Sequence, residues 1–279
     1  STLSYYNTTG STQTVYIAAS SYSGGTGDYT ITAQIQEYGT GTIDEIVEYL
    51  TTGWIGTEMA WNVATGGTIY VDITDLDADE AALALDALDA WTYVSGLNFV
   101  TEDFSVTGNT GITFVNDYNG DDTVFVAQAG PQAGGLADNV ISDALVTITS
   151  AWVDFYGTGY DDYSFLTYMH EIGHALGLTH GGPYNGTATY STTPGGDNIF
   201  DNDSYLMTIM SYFGLDDATA LATDVWLPVT PMLADILAIQ ELYGVAGTLH
   251  TGDTTFGSNS TAGGSYNNLT LPTGPSALP

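Results

Sequence analysis

The sequence predicts an α+β domain with a mixed sheet, and three observations carry that reading. Short β-type runs stand on both sides of a long amphipathic helix in the first half of the chain. A second long helix bears a dense histidine pattern, and a third ends at Gly244. In order, Thr68 to Ile73 alternates as a strand does. Asp79 to Val94 follows as a helix with Ala84, Leu88 and Trp91 on one face and Asp79, Asp86 and Asp89 on another, stopped by Gly96. Leu97 to Val100, Gly111 to Val115, Thr123 to Ala127 and Leu145 to Ile148 are strand candidates. The histidine helix spans Ser164 to Leu178, and the last helix takes Thr230 as N-cap with Pro231 in its first turn. Strands, a helix and further strands ahead of the histidine helix imply a sheet that borders a metal cleft.

The chain holds four histidines in 279 residues, and three of them, His170, His174 and His180, fall in one eleven-residue stretch. At about 100° per residue, His170 and His174 lie about 40° apart on a helix, so both imidazoles reach one ion. Phe165, Met169, Ile172 and Leu176 form a separate apolar stripe for the core. Glu171 points away from that stripe, placed to act on a water as general base. Gly177 can adopt the positive φ that ends the helix and returns His180 as third ligand. Three protein ligands and an open position make the catalytic zinc pattern; a structural zinc is normally closed by four. Such a zinc polarises a carbonyl and acidifies water to a pKa of roughly 7, which suits amide hydrolysis.

His170-Glu171-Ile172-Gly173-His174-Ala175-Leu176-Gly177-Leu178-Thr179-His180, followed by Thr208-Ile209-Met210-Ser211-Tyr212-Phe213, resembles the metzincin metallopeptidases, and within them the serralysin branch. The likeness extends from Ile43-Asp44-Glu45-Ile46 through Tyr184-Asn185-Gly186, Asp203-Ser204 and Thr230-Pro231-Met232-Leu233-Ala234-Asp235-Ile236. It implies a metzincin-type peptidase domain with a twisted mixed sheet, an active-site helix and a C-terminal helix. It also implies that Met210 forms an apolar floor beneath the zinc, and that Tyr212 ligates the metal and then swings away to stabilise the reaction intermediate. An edge strand holds extended substrate in that family; Val124, Phe125, Val126, Ala127 and Gln128 are the expected residues here.

The expected organisation is a β-hairpin segment over 1–40, a catalytic domain over 41–247 and a linker or tail over 248–279. Val15 to Ala19 and Tyr29 to Ala33 are similar to the closing strands of bacterial pre-peptidase β-domains. Thr251 to Gly257 is similar to the approach to a calcium-binding β-roll, although no complete roll repeat is present. With no signal peptide at its start, the chain reads as a processed form. Calcium is a second candidate cofactor beside zinc. The oxygen-rich loops 116–122 and 197–203 could take it, although neither matches the twelve-residue calcium loop and solvated turns are the plainer reading.

Composition speaks separately. There is no lysine or arginine against 33 acidic residues, where ordinary usage would supply about thirty basic side chains. Repulsion among the carboxylates predicts a fold that gains stability with salt. The same charge excludes nucleic acid and anionic lipid as partners and attracts cationic peptides. No cysteine is present, and no apolar run is long enough for a membrane span. The expectation is therefore a secreted, extracellular zinc endopeptidase acting on proteins or peptides. The alternative is a non-catalytic surface or assembly module with a structural zinc, and the intact Glu171 speaks against it.

Overall fold

Thr42 opens the first helix of the structure, a computed structural model that describes residues 39–245 except 54–55, 132–135, 193–194, 215–216 and 218–226, together with 253, 255 and 261. The expected N-terminal hairpin, His250 and most of the expected 248–279 tail lie outside the described residues. Helix α1 (Ile43–Thr52) starts in a reciprocal cap: the Thr42 amide donates to Glu45 Oε2 at 2.8 Å and the Glu45 amide to Thr42 Oγ1 at 3.3 Å. Strands β1 (Ala60–Trp61) and β2 (Thr68–Asp72) lead to helix α2 (Ala78–Ser95), capped in the same way by Asp77 and Glu80 and ended by left-handed Gly96. Strand β3 (Asn98–Thr101), the short helix α3 (Phe104–Thr107) and strand β4 (Ile112–Val115) follow. Then come β5 (Ala127–Pro131), β6 (Leu136–Ala137), β7 (Val140–Ile141), β8 (Ala144–Ile148), and helices α4 (Ser150–Tyr156), α5 (Tyr163–Ala175) and α6 (Leu233–Tyr243).

The main sheet runs β3-β2-β4-β8-β5, parallel throughout except for the antiparallel edge strand β5, so the sheet is mixed as the element order implied. A second small sheet has the order β1-β7-β6. Helices α2 and α5 pack on each other and against sheet strands, and α6 packs on α1 and α2. The core gathers Val71, Trp91, Phe114, Ile148, Phe165 and Met169 between these layers. Strand β8, flanked on both edges, buries four of its five residues and reads as a nearly unbroken apolar run.

With no lysine or arginine in the chain, buried carboxylates find amides and hydroxyls instead. Glu80, 1% exposed, accepts from Asn116 Nδ2 and Ser150 Oγ at 2.7 Å each as well as from the Asp77 amide. Asp72 accepts from the Phe104 amide at 2.8 Å and from Thr74 Oγ1 at 2.6 Å.

Three expectations about elements need correction. The histidine helix ends at Ala175 rather than Leu178, because the chain turns at Gly177. The last helix begins at Leu233, not after Thr230; Met232 is its N-cap, with its amide held by Asp235 Oδ2 at 2.8 Å. The strand expected over Thr123–Ala127 lies instead at Ala127–Pro131. The Val124-Phe125-Val126 run has the β-type composition, yet Phe125 packs on Trp152 at 4.5 Å and the Val126 amide donates to Thr149 Oγ1 at 3.2 Å. Ladder pairing is left to the weakly β-prone Ala-Gln-Ala-Gly-Pro, which tolerates proline because it is an edge.

Candidate active site

Helix α5 is buried at every position from Ser164 to Ala175, and it brings His170 and His174 together with ring centroids 4.7 Å apart. It closes in a Schellman turn: the Leu178 amide donates to the Gly173 carbonyl at 2.9 Å and the Gly177 amide to that of His174 at 3.0 Å. Gly177 sits at φ +104°, and a Cβ there would stand 2.0 Å from the Met59 carbonyl oxygen, so both conformation and space demand glycine. The C-terminal end of α1 secures the returning chain, for Thr179 donates from its amide to the Leu50 carbonyl at 2.7 Å and from Oγ1 to that of Tyr49 at 2.8 Å. His180 follows at once, its ring 4.5 Å from that of His174.

Each histidine meets a backbone carbonyl through Nδ1: His170 with Ile209 at 2.8 Å, His174 with Leu178 at 2.8 Å, His180 with Tyr184 at 2.7 Å. A carbonyl can only accept, so Nδ1 carries the proton and Nε2 presents a lone pair. The three ligand atoms lie within 4.8 Å of one another, the one such grouping of histidine, cysteine, aspartate or glutamate among the described residues. Burial drives the imidazole pKa values down, to about 4 for His170 and about 3 for His180, with His174 also well below its usual range. They are therefore neutral at pH 7. His174 Nε2 and His180 Nε2 face each other at 2.9 Å, two lone pairs that repel unless a shared cation lies between them. The donor set, its charge state and its enclosure all suit zinc.

Glu171 lines the same cleft, and its Oε2 is buried without a hydrogen-bond partner. Burial raises its carboxyl to about 8. Beneath the histidines, Met210 is fully buried; a Cβ at Gly173 would meet its Sδ at 2.6 Å, so glycine at that helix position is what admits the thioether. Tyr212 packs its ring against those of His180 at 4.5 Å and Tyr184 at 4.9 Å, and its hydroxyl accepts from the Gly186 amide at 3.4 Å. Burial pushes that hydroxyl up, as it does that of Tyr163, and Glu171 adds to both shifts.

Two supports were named in the sequence only as part of the family likeness, without a role. Asp235 on α6, fully buried, accepts from Thr208 Oγ1 at 2.5 Å and from the Ile209 amide at 2.8 Å, fixing the turn whose Ile209 carbonyl orients His170. Reading Asp235 as the N3 residue of its helix would have exposed it, but a start placed at Thr230 hid that position. Asp203 accepts from the Tyr184 hydroxyl at 3.0 Å, and the Tyr184 carbonyl orients His180. Burial raises Asp203 and Asp235 to about 6 each.

The opposite wall of the cleft, whose volume is roughly 290 Å³, is the edge strand from Ala127 to Pro131, with Leu145, Thr147 and Asn185 completing the lining. Of the five residues expected to meet substrate, Ala127 and Gln128 line it, whereas Val124, Phe125 and Val126 precede the strand. The two acidic loops use their side chains locally. Asp117 accepts from the Gly120 amide, Asp121 from the Thr123 amide, and Asp197 from the Thr189 amide at 2.7 to 3.0 Å.

A histidine-bearing helix, a glycine turn to a third histidine and a buried methionine floor beside a mixed sheet define a metzincin-type peptidase domain. Residues 54–191 match the Peptidase_M10 (matrixin) family model. Serralysin C of Dickeya chrysanthemi is 32% identical over 207 residues, covering 71% of this chain and 40% of the relative, and the Proteus mirabilis serralysin is 32% identical over 199 residues, covering 66% and 38%. The solved structure of High choriolytic enzyme 1, a hatching enzyme zinc-protease from Oryzias latipes, overlaps more loosely: TM-score 0.40 and 16% identity over 67% of this chain and 94% of that one. The chain belongs to the metzincins and carries a catalytic domain of the serralysin type. It spans about 40% of the length of the curated relatives it matches.

Proposed function

We propose that this chain is a secreted zinc-dependent endopeptidase, with His170, His174 and His180 as zinc ligands and Glu171 as general base. The carrying observation is the buried, unpartnered Oε2 of Glu171 on the wall that also presents three histidine lone pairs. Zinc, when bound, polarises the substrate carbonyl and acidifies the attacking water. Every other task falls to the chain. The Nδ1 contacts fix the ligand tautomers, and Met210 fills the space beneath them. Glu171 takes a proton from the water and delivers it to the leaving amine. Tyr212, whose hydroxyl accepts one long hydrogen bond from the Gly186 amide, would be a further ligand when zinc is bound and, released from it, would donate to the developing oxyanion. The backbone of β5 aligns an extended substrate, with Ala127 and Gln128 contributing from the strand.

A purely structural zinc has no use for Glu171. No described helix is long and apolar enough to cross a membrane. Secretion rests on the serralysin relationship. The deciding experiment incubates zinc-loaded chain and its Glu171→Ala variant with casein, measuring bound zinc and new peptide termini. One zinc in each, with cutting by the parent alone, is the expected result; zinc in both with no cutting by either removes the hydrolase reading.

A further inference from the structure

Five aromatic rings gather where the edge strand begins, and none has a task in the site described so far. Phe125, two residues ahead of β5, packs against Trp152, Phe155 and Tyr156 of α4 with ring centroids 4.5, 5.7 and 5.6 Å away. Trp152 and Tyr156 in turn meet Tyr163, the first residue of α5, at 6.1 and 4.8 Å. The group is anchored: Trp152 Nε1 donates to Thr167 Oγ1 at 3.2 Å, and the Thr149 amide donates to the Val126 carbonyl at 3.0 Å. Its outer face is open nonetheless, with Phe125 49% and Phe155 74% exposed. Exposed aromatic surface in one contiguous patch marks an interaction site more often than chance placement. The patch adjoins the cleft along the chain: Phe125 lies two residues ahead of Ala127, which lines the cleft, and Tyr163 begins the helix that bears Glu171.

Direction and charge choose the occupant. An antiparallel partner pairs slightly more stably than a parallel one. A chain antiparallel to β5 runs from Pro131 towards Ala127, so its downstream residues pass Ala127 and arrive over the rings. The protein carries a net charge of -33 with no lysine or arginine. Asp154 precedes Phe155 and is exposed, and the exposed Asp122 accepts through its carbonyl from the Ala151 amide at 3.1 Å at the start of α4. Ring faces within a negative field attract cations.

We infer that Phe125, Trp152, Phe155 and Tyr156 form a subsite for an arginine or lysine side chain of an extended polypeptide substrate, on the leaving-amine side of the cut bond. Resting on the endopeptidase reading, it lies about two to three residues beyond the substrate residue paired with Ala127, given a rise of about 3.3 Å per residue.

The test uses zinc-loaded full chain and peptide sets in which arginine, alanine or glutamate occupies each of the positions downstream of the cut. At one position the parent prefers arginine over alanine by about three- to tenfold in kcat/KM, and keeps most of that preference in about 1 M salt, where long-range steering is screened. In a Phe125→Ala/Phe155→Ala variant the ratio falls to about one. An unchanged ratio in that variant, or a preference abolished by salt, overturns the subsite. If the parent cuts no peptide, the hydrolase reading fails separately, and affinity then decides: Glu171→Gln protein loaded with zinc should bind the arginine peptide more tightly than the alanine peptide, and equal affinities sink the proposal.

Discussion

The two walls of the cleft are made on opposite plans. On the α5 side, the side chains that build the metal site have fixed partners: three imidazoles tied to three carbonyls, a methionine admitted by Gly173, and Asp235 and Asp203 bracing the turns behind, with Glu171 Oε2 left unpartnered among them. On the β5 side the residues are Ala-Gln-Ala-Gly-Pro, and what they offer substrate is a strand edge. The first wall does chemistry and demands fixed positions to within fractions of an ångström; the second aligns a polymer of variable sequence, for which backbone is the tolerant partner. A cleft can therefore combine strict chemistry with loose recognition by assigning each to a different secondary structure.

The contrast is sharpest under substitution. Glu171→Ala should lower kcat by about 10²- to 10⁴-fold while zinc content measured by atomic absorption stays at the parent's level; a loss of under tenfold would mean that the base is elsewhere. Next in size is Gly177→Ala. A methyl in that left-handed turn faces the Met59 carbonyl, so the variant should lose roughly 2 kcal/mol or more of stability in urea melts and bind zinc more weakly as His180 shifts. Wild-type stability and zinc affinity would show that the turn is dispensable.

Asp235 gives a pH handle on the same wall. Its carboxyl rises from 3.8 in the unfolded chain to about 6 in the fold, so the native state holds the proton more tightly than the unfolded state. That contribution to stability is complete below about pH 4 and is lost as pH rises through about 6. Asp235→Asn stays neutral throughout, so the parent's thermal midpoint relative to the variant's should fall between pH 4 and 7 in the metal-free protein; parallel curves would rule out the shift. The smallest effect belongs to the other wall. Gln128→Ala should change kcat/KM for casein-derived peptides by less than about threefold, because the strand acts through its main chain. A tenfold loss would show that the β5 side chains discriminate after all.

How much of each wall could be read from sequence follows from the same division. His170, His174, His180 and Gly177 announce themselves because spacing on a helix and a forced positive φ are local constraints. The core face of α2 was equally legible, with Ala84, Leu88 and Trp91 all buried. Strand β5 was not. Its pairing is settled by β8, Thr149 and the packing of Phe125 on α4, none of which leaves a period or composition in residues 127–131. Helix α1 escaped for another reason: its role is to clasp Thr179, over a hundred residues away, although the Thr42-Glu45 cap was there to be seen.

The last carbonyls of α5 have no amide of their own helix to meet, and residues remote in sequence supply donors. Trp61 Nε1 donates to the Ala175 carbonyl at 2.9 Å and the Tyr243 hydroxyl to that of Leu176 at 2.7 Å, while Trp91 Nε1 reaches the Met169 carbonyl at 3.0 Å. Two indoles thus sit on the helix at either end of its histidine pair. Indole emission responds to hydrogen bonding and to nearby quenching ions, so the protein carries its own optical gauge of the metal helix. Replacing zinc by a paramagnetic ion of similar size should dim these tryptophans, and loosening of α5 should shift their colour before the rest of the fold gives way.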